Sequence, residues 1–378
     1  MSDKEVVILG VGLHKFGRFP EESLGDLSRV AGAMAFEDAG VGPQDIQMGF
    51  CAHLNQPVGT GTQAFGSLGM SGIRITNIEV GCASSSRSVI MAAESILAGM
   101  CDMCMVIGVE KMPRGLISMG NLDWASLPQE ARLGLINAPS FYALKANWHM
   151  HTFGTKHEHF AHASVIAHKN GCLNPNAQHQ KEMTLEQIME SRMISTPVTL
   201  YECSPTTDGA SAVIVCSKEK AMQYTSNPVL LSGWNGGSPI YVKGKWQHAL
   251  EDAPTEMIAQ RAYEMAGVCP ADVDVAQVHD AFSPGVVFEC EELGFCAEGE
   301  GGPFVWEGNT EIGGKIPINT DGGLMSRGHP IGATGGAMVT ELTRQLRGQA
   351  GPRQVNGAKV ALLQNSGAGG GNVMVLKM

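Results

Sequence analysis

Two stretches far apart in the chain carry the same residues in the same order. Residues 34–46 read Met-Ala-Phe-Glu-Asp-Ala-Gly-Val-Gly-Pro-Gln-Asp-Ile, and residues 261–273 read Arg-Ala-Tyr-Glu-Met-Ala-Gly-Val-Cys-Pro-Ala-Asp-Val. Ala, Glu, Ala-Gly-Val, Pro and Asp recur at a constant offset of 227. A second correspondence joins Gly81-Cys82 and the helix that follows to Gly328-His329 and its helix, at an offset of 247. The 20 extra residues fit an insertion in the second half, over 298–314. An internal duplication predicts two similar α/β halves related by a pseudo-twofold axis. Equivalent helix N-termini then meet near that axis, which brings Cys82 and His329 together.

The local pattern agrees with an α/β chain. Strands are expected over 5–10, 74–80 and 103–108, and helices over 24–39 and 83–98. Further strands fall at 213–216, 229–232, 276–279, 359–364 and 373–376, with helices over 253–266 and 335–346. Such alternation implies a wound sheet covered by helices. With 378 residues, 43% hydrophobic and 17% charged, the chain can bury a large core. The first half is expected to span 1–225 and the second 226–378. Within the first, a loop region over 113–196, rich in His, Asn and Met, is expected to cover the site. A net charge of −11 argues against nucleic acid as a partner. No apolar run is long enough to span a membrane. The ten cysteines, with no export signal ahead of them, read as reduced thiols in a cytoplasmic protein.

Four short runs carry chemistry. Cys82 follows a strand and precedes a helix with apolar residues at Val89, Ala92, Ala93, Ile96 and Leu97. A sulfur at the positive end of a helix is expected to favour its thiolate. His279 opens His-Asp-Ala-Phe-Ser at the carboxyl end of a strand, where open α/β sheets hold ligands. His329 opens His-Pro-Ile-Gly-Ala-Thr-Gly, with Pro330 suited to a first helical position. Asn365 opens a glycine-rich run after the strand over 359–364. Taken singly, each fits a buried cysteine or a core histidine. Taken together, they supply a nucleophile, a base and oxyanion donors for acyl transfer. Cys101-x-x-Cys104 has zinc spacing but no partner pair, so buried thiols are expected. Six histidines between His149 and His168 lack His-Glu-x-x-His spacing and read as a covering helix. Gly10-x-Gly12 is too short for a dinucleotide fingerprint.

These runs, with Asn319-Thr-Asp-Gly-Gly, Ser204-Pro-Thr-Thr-Asp-Gly-Ala and Gly108-Val-Glu-Lys-Met, resemble the thiolase superfamily over nearly the whole chain. The likeness is greatest to the sterol-carrier-protein-2-type and archaeal thiolases. It implies a five-layered α-β-α-β-α fold from two duplicated halves plus an inserted loop region. It implies that Cys82 takes the acyl group and His329 draws its proton. His279 and His329 would form one oxyanion hole, and the N–H groups of Cys82 and Gly367 a second. Phe282 would line the pantetheine tunnel. No metal and no tightly bound cofactor are implied, with coenzyme A as co-substrate. The second cysteine usual in the family is absent: Asn365 and Ala281 stand at its two customary places, and Cys203 and Cys290 have no assignable position. The reaction expected is thiolysis of a 3-oxoacyl-CoA, or the reverse Claisen condensation. A bulky or aromatic substrate such as benzoylsuccinyl-CoA is one candidate. Rival readings are a decarboxylating Cys-His-His condensing enzyme and a non-catalytic lipid-binding or scaffold subunit. An aldolase-type branch lacks the nucleophilic cysteine that this chain has. The resemblance also implies a homodimer core and a small partner subunit with a zinc ribbon and an OB-fold.

Overall fold

Strand alternation sorts the apolar residues of this chain into three packed layers. The computed structural model describes residues 4–54, 56–113, 132, 137–225, 227–238, 254–367 and 370–378. Its strands are β1 (Val6–Leu13), β2 (Met48–Ala52), β3 (Arg74–Ile78), β4 (Met103–Glu110), β5 (Met193–Ser195), β6 (Val198–Thr199), β7 (Gly209–Ser217), β8 (Val229–Gly237), β9 (Val275–Gln277), β10 (Val360–Gly367) and β11 (Gly370–Lys377). In β4, Cys104 and Val106 face one way, and Met103, Met105 and Ile107 the other. In β10 and β11, Ala361, Leu363, Met374 and Leu376 face the same central layer, while Leu362, Val373 and Val375 face outward. β1 keeps both faces apolar by a register shift between Ile8 and Gly10, which moves the inward set from Val6 and Ile8 to Val11.

The central layer is two helices, Ser84–Leu97 and Thr334–Leu346. Val89 and Ile96 of the first and Val339 and Leu342 of the second are fully buried between the sheet halves. Each such side chain contributes about 1.5–3 kcal/mol. Helix Leu24–Ala39 covers one outer face and helix Pro254–Ala266 the other. Helix Leu24–Ala39 starts in a Ser23–Asp26 capping box and stops at left-handed Gly40. Gly10 and Gly12 sit beneath it. A Cβ on either would come within 2.5 Å or 2.0 Å of the carbonyl oxygens of Ala35 and Ala31. That pair of glycines therefore serves helix–strand packing.

The strands run in the order β3-β2-β4-β7-β1-β8-β11-β10-β9. Read outward from the β1–β8 junction, the two sides match. β1 pairs antiparallel with β7, β7 with β4, and β4 runs parallel to β2. β8 pairs antiparallel with β11, β11 with β10, and β10 runs parallel to β9. Even the edge repeats: β2 pairs parallel with β3, and Ala276 of β9 bridges Ile318 in parallel.

Several elements differ from the sequence reading. β7 and β8 are longer than the strands expected at 213–216 and 229–232, because their glycine and polar ends still pair across the sheet. β2, a five-residue strand, carried too little pattern to be read. Within 298–314 lies helix Gly301–Trp306, seated on helix His157–Cys172. Of the expected loop region, 114–131 and 133–136 lie outside the described residues; helices Ala138–Phe153, His157–Cys172 and Leu185–Met189 follow. Among the described residues no helix is long and apolar enough to cross a membrane.

Candidate active site

The two central helices start side by side because their first turns lack bulk. A Cβ on Gly335 would lie 2.4 Å from the backbone nitrogen of Ser86, and one on Gly336 would lie 2.3 Å from Ser211 Oγ. Gly336 N–H donates to Ser85 Oγ at 2.9 Å, tying one helix start to the other. Just ahead of helix Ser84–Leu97, Gly81 takes φ 56°, a left-handed turn that suits glycine. Ser84 Oγ accepts from Val80 N–H at 2.9 Å and donates to the Gly81 carbonyl at 2.6 Å. These bonds fix the turn that presents Cys82.

Residues 247 apart in the chain therefore meet: Cys82 Sγ lies 3.2 Å from His329 Nε2. The tautomer follows from the other ring nitrogen. His329 Nδ1 is 2.6 Å from Thr334 Oγ1, whose own proton goes to the Pro330 carbonyl at 2.9 Å. Thr334 must then accept from Nδ1–H, which leaves the Nε2 lone pair to accept the Cys82 thiol proton. His329 N–H donates to Thr207 Oγ1 at 3.0 Å.

His279 stands across from this pair, its ring centroid 5.4 Å from that of His329 at 77°. Asn365 Nδ2 is 3.1 Å from His279 Nδ1, and Asn365 Oδ1 accepts from Ser86 Oγ at 2.8 Å. In that arrangement His279 carries its proton on Nε2 and is a donor toward the site. Gln364 Oε1 accepts from His279 N–H at 3.0 Å. Asn319, at φ 51°, accepts from Val278 N–H at 2.9 Å and donates to the Val278 carbonyl at 3.1 Å. The Asn319-Thr-Asp-Gly-Gly run thus holds the strand end that carries His279. Gly367 packs on the Cys82 turn, where a Cβ would lie 2.2 Å from the Val80 carbonyl oxygen.

Electrostatics correct one expectation. The helix start was expected to lower the Cys82 thiol. Instead burial pushes it up to about 12, with the Glu110 carboxylate adding to the rise. Cys82 keeps some exposed surface, yet dense surroundings strip water from its sulfur. Burial also pushes His279 down to about 4 and His329 well below its usual range, where His279 and Arg327 add to the effect. The resting pair is a neutral thiol donating to a neutral imidazole. The thiolate forms when His329 takes the proton.

Phe282 is buried against Tyr142, Ala143, Val198, Ala281 and Leu324, with its ring 4.9 Å from that of Tyr142. Cys203 joins this wall, bridging Phe282, and its thiol donates to the Thr199 carbonyl at 3.2 Å. Cys290 is fully buried in the core. All ten cysteines are unpaired, and Cys101 and Cys104 are buried with their sulfurs 3.1 Å apart. The histidines of 149–168 are dispersed. His149 meets Glu291 and Thr155, His157 meets Glu202, and His159 and His162 pack on Trp306.

Sequence reasoning missed Thr334, Thr207, Gln364, Ser86 and Glu110. Thr334 was legible in principle, five residues after His329 in the same run. Glu110 gave no signal of its role. It ends β4, is buried, and accepts 2.8 Å bonds from the N–H groups of Leu54 and Gly332. Burial pushes its carboxyl up to about 8 against those bonds.

Comparison with known proteins gives consistent results. The family described as "Thiolase, N-terminal domain" matches residues 6–219, and "Thiolase C-terminal domain-like" matches 246–376. The acetyl-CoA acetyltransferase of Methanothermobacter thermautotrophicus is 36% identical over 98% of this chain and 98% of its own. Sterol carrier protein 2 of Bos taurus is 36% identical over 98% of this chain and 72% of its own. Among solved structures, the Ltp2-ChsH2(DUF35) aldolase has a TM-score of 0.87 at 26% identity, covering 99% of this chain and 97% of that one. Human mitochondrial 3-ketoacyl-CoA thiolase has a TM-score of 0.75 at 17% identity over 99% and 98% of the two chains, a likeness of fold.

Proposed function

The chain belongs to the thiolase family, as an acyl-CoA acyltransferase, and from that premise we propose that it thiolyses a 3-oxoacyl-CoA through an acyl-thioester on Cys82. The 3.2 Å contact between Cys82 Sγ and the lone-pair nitrogen of His329 carries this reading. His329 takes the thiol proton, and sulfur attacks the keto carbon. The bond between the α and β carbons breaks, and its electron pair becomes a thioester enolate. The His279 Nε2–H donates to that enolate oxygen, with the N–H groups of Cys82 and Gly367 serving the oxygen of the tetrahedral intermediate. His329 returns its proton to the α carbon, and that fragment leaves as its own coenzyme A thioester while the shortened acyl group stays on Cys82. Coenzyme A then gives its thiol proton to His329, attacks the thioester, and Cys82 departs to recover that proton. One histidine thus moves both protons, which balances the reaction without a second cysteine. The reverse sequence is a Claisen condensation.

The acyl group is proposed to lie at the inner end of the pantetheine tunnel, against the wall around Phe282. Two aromatic rings, Tyr142 and Phe282, stand beside small Ala143 and Ala281. That combination suits a flat, bulky acyl group, and benzoylsuccinyl-CoA, which would yield benzoyl-CoA and succinyl-CoA, is our candidate. We propose that the protein is cytoplasmic and a homodimer, with β3, an edge strand of the sheet among the described residues, as the surface for a second copy. A small zinc-ribbon and OB-fold subunit is the further partner proposed, by analogy with the DUF35 subunit of the aldolase neighbour.

The test is a thiolysis assay over 3-oxoacyl-CoA substrates that include benzoylsuccinyl-CoA, with the DUF35-type partner added in parallel. Cys82→Ala is expected to lose at least about 10³-fold in kcat. Unchanged turnover in that variant would refute the covalent route. Carbon dioxide release from malonyl-type donors alone would favour a decarboxylating condensing enzyme. No turnover with any substrate or partner would favour a scaffold.

A further inference from the structure

Cys82 Sγ, a ring nitrogen of His279 and a ring nitrogen of His329 all lie within 4.8 Å of one another, with Sγ and His329 Nε2 at 3.2 Å. One thiolate and two imidazoles form a borderline-soft donor set that suits Zn²⁺. Zn–S bonds of about 2.3 Å and Zn–N bonds of about 2.0–2.1 Å, set tetrahedrally, hold their ligand atoms roughly 3.3–3.6 Å apart. Small side-chain movements bring the present set to that spacing. The far nitrogen of His329 already has the outer acceptor that metal-binding histidines use, Thr334, and Asn365 stands beside the far nitrogen of His279.

The tautomers decide whether the set is a donor site or a ligand site. His329 Nε2 already offers a lone pair. His279 Nε2 carries a proton while Asn365 presents Nδ2 to its other nitrogen. A half-turn of the Asn365 amide reverses that: Oδ1 then accepts from His279 Nδ1–H, and Nε2 is freed. The turn is open to this chain because Ser86 Oγ, which now donates to Asn365 Oδ1, has a second acceptor in the Ala83 carbonyl at 2.9 Å. We propose that Cys82, His279 and His329 form an inhibitory Zn²⁺ site, exclusive with catalysis and selected by the orientation of the Asn365 amide. Binding releases the Cys82 proton to solvent, and water fills the fourth position. No oxidation or reduction occurs.

The test titrates the full chain, with its partner subunit where one copurifies, first with Zn²⁺ for activity and then with Cd²⁺ for the ultraviolet thiolate-to-cadmium band. The expected result is inhibition reversed by EDTA and a band of one equivalent per chain that Cys82→Ala removes. His279→Gln is expected to weaken binding at least about 10-fold. Asn365→Asp, close in shape, accepts from His279 Nδ1–H permanently and is expected to tighten Zn²⁺ binding while lowering turnover. The band reads binding without turnover, so it is independent of the substrate proposed above. No band in the wild type overturns the proposal. So does a band that survives Cys82→Ala, which would point to Cys101 and Cys104. Weaker Zn²⁺ binding by Asn365→Asp overturns the amide switch.

Discussion

The chemistry at Cys82 turns on one proton. Burial and Glu110 hold the thiol near 12, and burial holds His329 far below neutrality, so the free enzyme stores the proton on sulfur. Alkylation by iodoacetamide should therefore quicken by about tenfold per pH unit between about pH 7 and pH 10, with no plateau. A plateau near neutrality would mean a preformed thiolate. The tautomer of His329 depends on Thr334. Thr334→Val should lower kcat about 10–100-fold with little change in KM, and Thr334→Ser should restore it. An equal loss in the serine variant would indicate a packing role instead. Cys82, His279, His329 and Asn365 were legible because each sits in a run whose turn and cap chemistry shows in sequence. Their supports were less so. Thr207 and Gln364 come from elements that meet only in the folded chain, and the charge of Glu110 acts through space.

Helix starts do the positioning, and glycines let them approach. Gly335→Ala sets a methyl group 2.4 Å from a backbone nitrogen that cannot step aside. It should cost about 1–3 kcal/mol and part Cys82 from His329. Gly66→Ala is the control, since no atom lies within 4 Å of the added group, and it should stay within about 0.5 kcal/mol. Urea midpoints and kcat check both; equal shifts would contradict the role given to the close approach. Helix Leu24–Ala39 was readable to its last residue because its capping box and terminal glycine are local signals. β2 was not, because five residues carry little periodicity and its identity comes from pairing with β3 and β4. The lowered thiol expected from the helix start failed for a related reason: burial, a tertiary property, outweighed the local dipole.

Across the whole molecule, a repeated strand order brings Cys82 and His329 to a shared centre. The frame near His329 also depends on a buried ion pair. Arg327, fully buried, meets Asp321, which also accepts from Gln277. Arg327→Met leaves Asp321 buried without its cation and should cost about 3–5 kcal/mol in chemical denaturation, far more than a surface change. A loss below about 1 kcal/mol would show that the pair is dispensable. The duplication was legible from two offsets, and with it the meeting of residues 82 and 329, because matching helices in a twofold arrangement leave little freedom. The packing around Phe282 was legible only in part: Phe282 lies in the His279 run, but Tyr142 and Cys203 come from distant segments with no shared motif. The central claim is that both halves act through an acyl group carried on Cys82. Its most direct test is peptide mass spectrometry after mixing the protein with a 3-oxoacyl-CoA and no free coenzyme A. The account predicts one acyl adduct on the Cys82 peptide, discharged when coenzyme A is added. An adduct elsewhere, or turnover with none at any time, would contradict it.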